Sequence, residues 1–253
     1  MVGTVLVTGA TGTLGREVVR LLVARGVAVR GLSRRARAAG DGVEWVVGDL
    51  VTGAGLAQAL AGVGTVVDCA TTQGKQDVAA VGRLVAEARR AGVGHLVYVS
   101  IVGIDRVPLA YYRAKLGCER VVRESGLGWT VLRATQFHDL VLKAFDLSAR
   151  LPVFPVVSGA RIQPVEVREV AVRVAGLVGR EPAGFAPEVA GPQVRSYREL
   201  AEAYLRAAGR RRVLVPLPVP GALGRALRAG GLTAPERAVG EGSFEQALAR
   251  RFG

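Results

Sequence analysis

The sequence predicts an α/β chain: a doubly wound parallel Rossmann sheet with a smaller C-terminal α+β lobe. Three observations carry this reading. Short apolar runs recur roughly every 20 to 30 residues through the first 135 residues, with helix-period stretches between them. Runs such as Thr4-Val5-Leu6-Val7-Thr8 have no polar face, as parallel strands covered on both sides require. The chain is 253 residues long, 50% hydrophobic and 22% charged, so it can bury a substantial core and is not disordered. Right-handed crossovers would wind such strands into one sheet, with its ligand crevice at their carboxyl ends.

The elements follow in order. Thr4–Thr8 is the first strand. Arg16 to Arg25 carries Val18, Val19, Leu21, Leu22 and Val23 at helical spacing and is closed by Gly26. Val27 to Leu32 is a second strand, and Val43-Glu44-Trp45-Val46-Val47 a third. Leu56 to Leu60 is a short helix, and Thr65 to Ala70 a fourth strand. Gln76 to Ala91 is a helix closed by Gly92, and His95 to Ser100 a fifth strand. Pro108 opens a helix to about Glu124, ended by Ser125-Gly126, and Trp129 to Arg133 is a sixth strand.

From about residue 136 the rhythm changes. Prolines cluster, from Pro152 and Pro155 to Pro216, Pro218 and Pro220, and helices are expected near 167–179, 196–208 and 221–229. The reading is residues 1–135 as a dinucleotide-binding domain and 136–253 as a smaller substrate-binding lobe. That lobe is interleaved with the first domain rather than independent, and is expected to cap the crevice from one side.

Composition excludes several functions. No stretch of 18 consecutive apolar residues exists, so no membrane-spanning helix is expected. The start, Met1-Val2-Gly3-Thr4, runs straight into an expected strand with no basic stretch or cleavage site before it, so no secretory signal is expected. Two cysteines, Cys69 and Cys118, with two histidines, make neither a disulfide scaffold nor a zinc site, so no metal is expected and a reducing cytoplasm fits. Cys69 reads as a small buried residue rather than a reactive thiol. The net charge of +13 rests on arginine, since lysine occurs only as Lys75, Lys115 and Lys143. The arginines are scattered over helix faces, which reads as a basic surface with no specific nucleic-acid partner. A small-molecule substrate and a monomer or homodimer are expected.

The strongest motif follows the first strand: Thr8-Gly9-Ala10-Thr11-Gly12-Thr13-Leu14-Gly15. Glycines at 9, 12 and 15 allow a tight turn, close backbone approach and tight packing of the next helix. The N–H groups at that helix's start then face a pyrophosphate. After the second strand comes Ser33-Arg34-Arg35, with no carboxylate to read a ribose 2′-hydroxyl. The pattern suits a 2′-phosphate, hence NADP(H). Asp49, beside Leu50 at the end of the third strand, is placed to accept from an adenine amino group. Ala70 and Thr71, ending the fourth, would pass near the nicotinamide ribose.

Together these residues resemble the short-chain dehydrogenase/reductase superfamily, and the glycine spacing resembles its extended and atypical branches, among them the NmrA-like NAD(P)-binding proteins. Gly48-Asp49-Leu50, Arg161 to Ala171, and Val189-Ala190-Gly191-Pro192 with Ser196-Tyr197-Arg198-Glu199-Leu200 extend the resemblance over most of the chain. Ser196 and Glu199 also read independently as a capping box. The superfamily's active site is a serine followed by Tyr-x-x-x-Lys. Here Ser100 and Tyr111-Tyr112-Arg113-Ala114-Lys115 match it, with Tyr111 and Lys115 on one helix face. The resemblance implies that Tyr111 transfers a proton, Ser100 binds the carbonyl oxygen, and Lys115 holds the nicotinamide ribose and lowers the tyrosine pKa. Tyr112 leaves the register open, and the family's relay asparagine has no counterpart because the chain contains no Asn.

After the sixth strand, Gln136, Phe137 and His138 are expected at the substrate mouth. The implied activity is an NADP(H)-dependent oxidoreductase reducing a carbonyl or quinone-like molecule. A non-catalytic NADP-binding redox sensor and a nucleotide-sugar epimerase-like isomerase stay open as alternatives.

Overall fold

The computed structural model describes residues 3–38, 42–74 and 76–253. Met1 and Val2, ahead of the first expected strand, and Lys75 lie outside the described residues. The first part alternates as the hydrophobic pattern requires: β1 (Thr4–Thr8), α1 (Thr13–Ala24), β2 (Val29–Ser33), β3 (Val43–Val47), α2 (Leu56–Leu60), β4 (Val63–Asp68), α3 (Asp77–Arg90), β5 (His95–Ile101), α4 (Ala110–Arg123) and β6 (Gly128–Ala134). Then come α5 (His138–Ser148), β7 (Phe154–Val157), β8 (Arg161–Ile162), α6 (Val167–Leu177), β9 (Gly184–Phe185), β10 (Arg195–Ser196), α7 (Tyr197–Ala207), β11 (Leu214–Leu217), α8 (Gly221–Arg228) and α9 (Phe244–Phe252).

Two compact units result. The first comprises Met1–Ser100, Ala110–Arg133 and Arg168–Pro187; the second comprises Ile101–Leu109, Ala134–Val167 and Glu188–Gly253. A single boundary at 135 does not express this weave. Arg168–Pro187 belongs with the first unit because Gly184 and Phe185 pair with Thr130 and Val131, adding β9 to the sheet edge.

The first unit holds a seven-stranded sheet in the order β3-β2-β1-β4-β5-β6-β9. The order reverses between β1 and β4, which pair in parallel from Thr4 to Thr8 against Val63 to Asp68. The strands alternate: Leu6, Leu32, Val46, Val66 and Leu96 join Leu56, Leu60, Leu84, Cys118 and Val122 of α2, α3 and α4 in one buried cluster. Their neighbours Val5, Val7, Val67 and Val97, pointing the other way, are equally buried. Burial on both faces explains why these runs are apolar throughout.

Several expected boundaries move by one to three residues, and two of the shifts have a plain local reason. β4 ends at Asp68, not Ala70, because the Asp68 carboxylate accepts the Ala70 N–H at 3.1 Å and turns the chain out of the ladder. α4 begins at Ala110, two residues after Pro108, because Leu109 first donates its N–H to Val107 O at 2.8 Å.

The second unit pairs β7 with β11 in parallel and β8 with β10 antiparallel. Its core gathers Phe154, Tyr197, Tyr204 and Phe244 around Phe145, with ring centroids 5.1 to 6.2 Å apart. Buried Gln163 ties the unit together, donating to Gly191 O at 2.7 Å and accepting from Ala234 N at 2.9 Å. The capping box on α7 is present as expected. Helices α5 and α9 were not expected from the sequence. Among the described residues no helix is long and apolar enough to cross a membrane.

Candidate nucleotide-binding and proton-transfer site

The glycine loop sits at the reversal of strand order. Gly9 has φ +60°, a conformation that L side chains rarely adopt, and a Cβ there would stand 2.8 Å from the backbone of Cys69 and Ala70. The loop therefore lies directly on the end of β4. A Cβ on Gly15 would approach Gly9 O to 2.1 Å, so α1 packs on the loop only because that position is bare. The N-cap Gly12 provides no side-chain cap for α1. The amides of its first turn, at Thr13, Leu14 and Gly15, are thus left for an external acceptor, and the helix dipole favours an anion there. Thr11 is exposed and Thr13 half-buried beside this gap. Both features, the bare cradle and the uncapped helix start, fit a pyrophosphate.

Thr8 is placed differently from the other loop residues. It is fully buried, and its hydroxyl donates to the Asp68 carboxylate. It anchors β1 to β4.

Beyond β2, the Ser33 hydroxyl donates to Arg35 O at 2.8 Å and accepts from Arg35 N at 3.3 Å. This small turn projects Arg34 and Arg35 into solvent. A third cation stands beside them that the sequence reading did not single out. The Arg37 guanidinium lies 4.8 Å from the Trp45 ring centroid, and Trp45 packs on bare Gly31. The signal was available in the charge run Arg34-Arg35-Ala36-Arg37. Asp49 is half-buried, and one carboxylate oxygen accepts from Val51 N at 2.7 Å. Leu50 packs against the core cluster.

At the other end of the site, Ser100 is the penultimate residue of β5. It is 3% exposed, and its hydroxyl has no hydrogen-bond partner among the described residues. Such an orphan is costly unless a ligand satisfies it. Tyr111 and Tyr112 part company. Tyr112 is buried, whereas Tyr111 is half-buried and its hydroxyl lies 3.2 Å from the Thr71 hydroxyl. The Tyr111 ring also covers Gly74, whose Cβ would be 3.2 Å from it. Burial pushes the Tyr111 phenol up, and the nearby Asp77 carboxylate and Cys118 push the same way, against the Thr71 hydrogen bond.

Lys115, the last residue of the Tyr-x-x-x-Lys pattern, lies under the end of β5. Its ammonium is buried, donates to Val99 O at 2.9 Å, and lies 4.2 Å from the Tyr98 ring centroid. Burial lowers its pKa, and burial likewise raises that of Asp68; each is partly offset by attraction to the other. An acid ending an otherwise apolar strand is the sequence signal that marks Asp68. Cys69 beside it is half-buried, and burial together with Asp68 pushes its thiol far above the ordinary range, which makes it a poor nucleophile.

Gln136, Phe137 and His138 belong to the second unit. The Gln136 amide is buried, and neither its oxygen nor its nitrogen has a hydrogen-bond partner among the described residues. Phe137 is the half-buried N-cap of α5. His138 is not presented to solvent: it is 2% exposed, with Nε2 at 3.2 Å from Pro164 O and its ring against Phe244. Among the described residues no cluster of His, Cys, Asp or Glu could hold a metal ion.

Comparison with known proteins bears on this site. A family profile described as NAD(P)H-binding matches residues 9–175. A (4-alkanoyl-5-oxo-2,5-dihydrofuran-3-yl)methyl phosphate reductase from Streptomyces griseus is 35% identical over 213 residues, covering 81% of this chain and 74% of its own. An NAD(P)H azoreductase from Xenophilus azovorans is 32% identical over the same shares. Among solved structures, an Escherichia coli NADPH-dependent quinone oxidoreductase complexed with NADPH superposes with a TM-score of 0.84 at 21% identity. It covers 98% of this chain and 100% of its own. At that identity the likeness speaks for the fold.

Proposed function

The chain belongs to the NAD(P)H-binding family, and on that premise we propose that it is an NADP(H)-dependent reductase of a carbonyl or quinone-like small molecule. The observation that carries the reading is the junction of β1 and β4. There the bare glycine cradle closes on the strand end at Cys69 and Ala70, and the next residue, Thr71, meets the Tyr111 phenol. A phosphate-binding turn and a protonated phenol are thus built on one strand end. The two reductases above 30% identity support the same class.

In this reading the first-turn amides of α1 hold the pyrophosphate and Arg34, with Arg35 and Arg37 near it, holds the 2′-phosphate. Asp49 keeps one carboxylate oxygen for the adenine amino group. The bound dihydronicotinamide supplies a hydride. Ser100 offers its unpaired hydroxyl to the substrate oxygen, and Tyr111 delivers the proton that completes reduction. Lys115 holds Val99 at the end of β5, and its charge favours the ribose contact that the Tyr-x-x-x-Lys pattern implies. The glycine spacing favours the atypical, NmrA-like branch, and the free thiols Cys69 and Cys118 favour a reducing, cytoplasmic setting.

Cofactor choice tests the nucleotide half of this reading. Calorimetric titration should find NADPH bound at least about tenfold more tightly than NADH, roughly 1.4 kcal/mol. Arg34→Ala should bring the two together. Equal wild-type affinities, or a ratio unmoved by the substitution, would count against it.

A further inference from the structure

We propose that Thr71 and Asp77 are positioning residues that work Tyr111 through a rotating hydroxyl. The inference rests on Tyr111 being the proton donor of the reductase reading. Asp77, the first residue of α3, accepts from Thr72 N, from Thr72 Oγ1 at 2.6 Å, from Thr71 Oγ1 at 2.9 Å and from Gly74 N at 3.1 Å. Burial alone would raise its carboxyl, but these hydrogen bonds, with the charge of Lys115, hold it below the usual carboxylate range. Asp77 is therefore ionised at neutral pH and can only accept.

This fixes the direction of the next bond. Thr71 has one hydroxyl proton and gives it to Asp77, while its oxygen also accepts the Gln73 N–H at 3.0 Å. Toward Tyr111, 3.2 Å away, Thr71 can then only accept, so the phenol donates to it. At rest the phenol proton is held on Thr71.

During reduction the hydride adds to the substrate carbonyl carbon, and the C=O π pair moves to oxygen. That oxygen takes the Tyr111 proton, so the phenol O–H bond breaks and a new O–H bond forms. The phenolate left behind faces the Thr71 lone pairs. Rotation of the Thr71 hydroxyl from Asp77 to the phenolate turns that repulsion into a charge-assisted hydrogen bond. Asp77 keeps its donors from Thr72 and Gly74. Solvent, reached at exposed Thr71, then returns a proton to the phenolate.

The test needs no cofactor. The ionisation of Tyr111 is isolated as the absorbance difference between the chain and its Tyr111→Phe variant during an alkaline titration. The titrating neighbours, Asp77 from α3 and Cys118 from α4, are common to every variant. Thr71→Val keeps the shape and removes the hydroxyl. It should raise the Tyr111 ionisation by about one pH unit or more, the scale of a hydrogen bond to a charged group. Thr71→Ser should restore the wild-type value. In turnover of a plain ketone at saturating NADPH, Thr71→Val should lower kcat about tenfold, and Thr71→Ser should recover it. Coincident titrations of wild type and Thr71→Val overturn the proposal whatever turnover shows, as does a Thr71→Ser variant that behaves like Thr71→Val. A wild type that turns over nothing while the titration shifts as expected removes the reductase reading and leaves the Thr71–Tyr111 pairing standing.

Discussion

Tyr111→Phe should cut turnover of a plain ketone by about 10²-fold or more while NADPH affinity stays nearly unchanged. The phenol is half-buried, and burial with the Asp77 carboxylate raises its pKa, so at neutral pH it is protonated and able to donate. Phenylalanine keeps the ring that covers Gly74 and removes only the donor. Tyr112→Phe is the control, and it should be mild, because that ring is buried in packing. A quinone needs less acid assistance, so its turnover should fall less than the ketone's. Steady-state kinetics on both substrates decide it. A larger loss in Tyr112→Phe than in Tyr111→Phe would reverse the assignment of the two tyrosines.

Gly15→Ala should weaken NADPH binding by about tenfold to a hundredfold and lower the melting temperature. The added Cβ would stand 2.1 Å from Gly9 O, 2.7 Å from Gly9 C and 2.9 Å from Ala10 Cα. All three are backbone atoms, so either the loop or the start of α1 must move away. Overpacking of this kind costs about 1–3 kcal/mol, and the displaced atoms are those that would meet the pyrophosphate. Gly82→Ala is the matched control. Gly82 lies within α3, its Cβ would meet nothing within 4 Å, and alanine should be neutral or stabilising there. Calorimetric titration and thermal melting of both variants check this. Unchanged affinity in Gly15→Ala would mean that the cradle is not the nucleotide site.

The parts of this molecule that were legible in sequence are those where one local rule decides. Strands buried on both faces read as apolar runs, and β1 and β3 match their expected bounds. The loop Gly9-Gly12-Gly15 is legible because side chains are sterically excluded at Gly9 and Gly15. Helix α9 could have been found as well: Ser243 and Gln246 form a capping box ahead of Ala247 and Leu248, the signal that identified α7. Helix α5 offered less, since its N-cap is Phe137, which supplies no side-chain cap. That is also why His138 read as a mouth residue when it is buried at a helix start.

Contacts between distant segments were not legible. Lys115 shares a helix face with Tyr111, as the i, i+4 spacing requires. Its long side chain nevertheless reaches Val99 O, while the phenol meets Thr71. Spacing fixes where a side chain leaves the helix, and the acceptor it meets, here Val99 O, decides where it ends.

Reduction by NADP(H) is decided by following NADPH oxidation by the purified chain with a ketone, a quinone and an azo compound. Substrate-dependent oxidation of NADPH, one equivalent for each two electrons received, is expected on at least one of them. Tight NADPH binding with no oxidation across the three would contradict it.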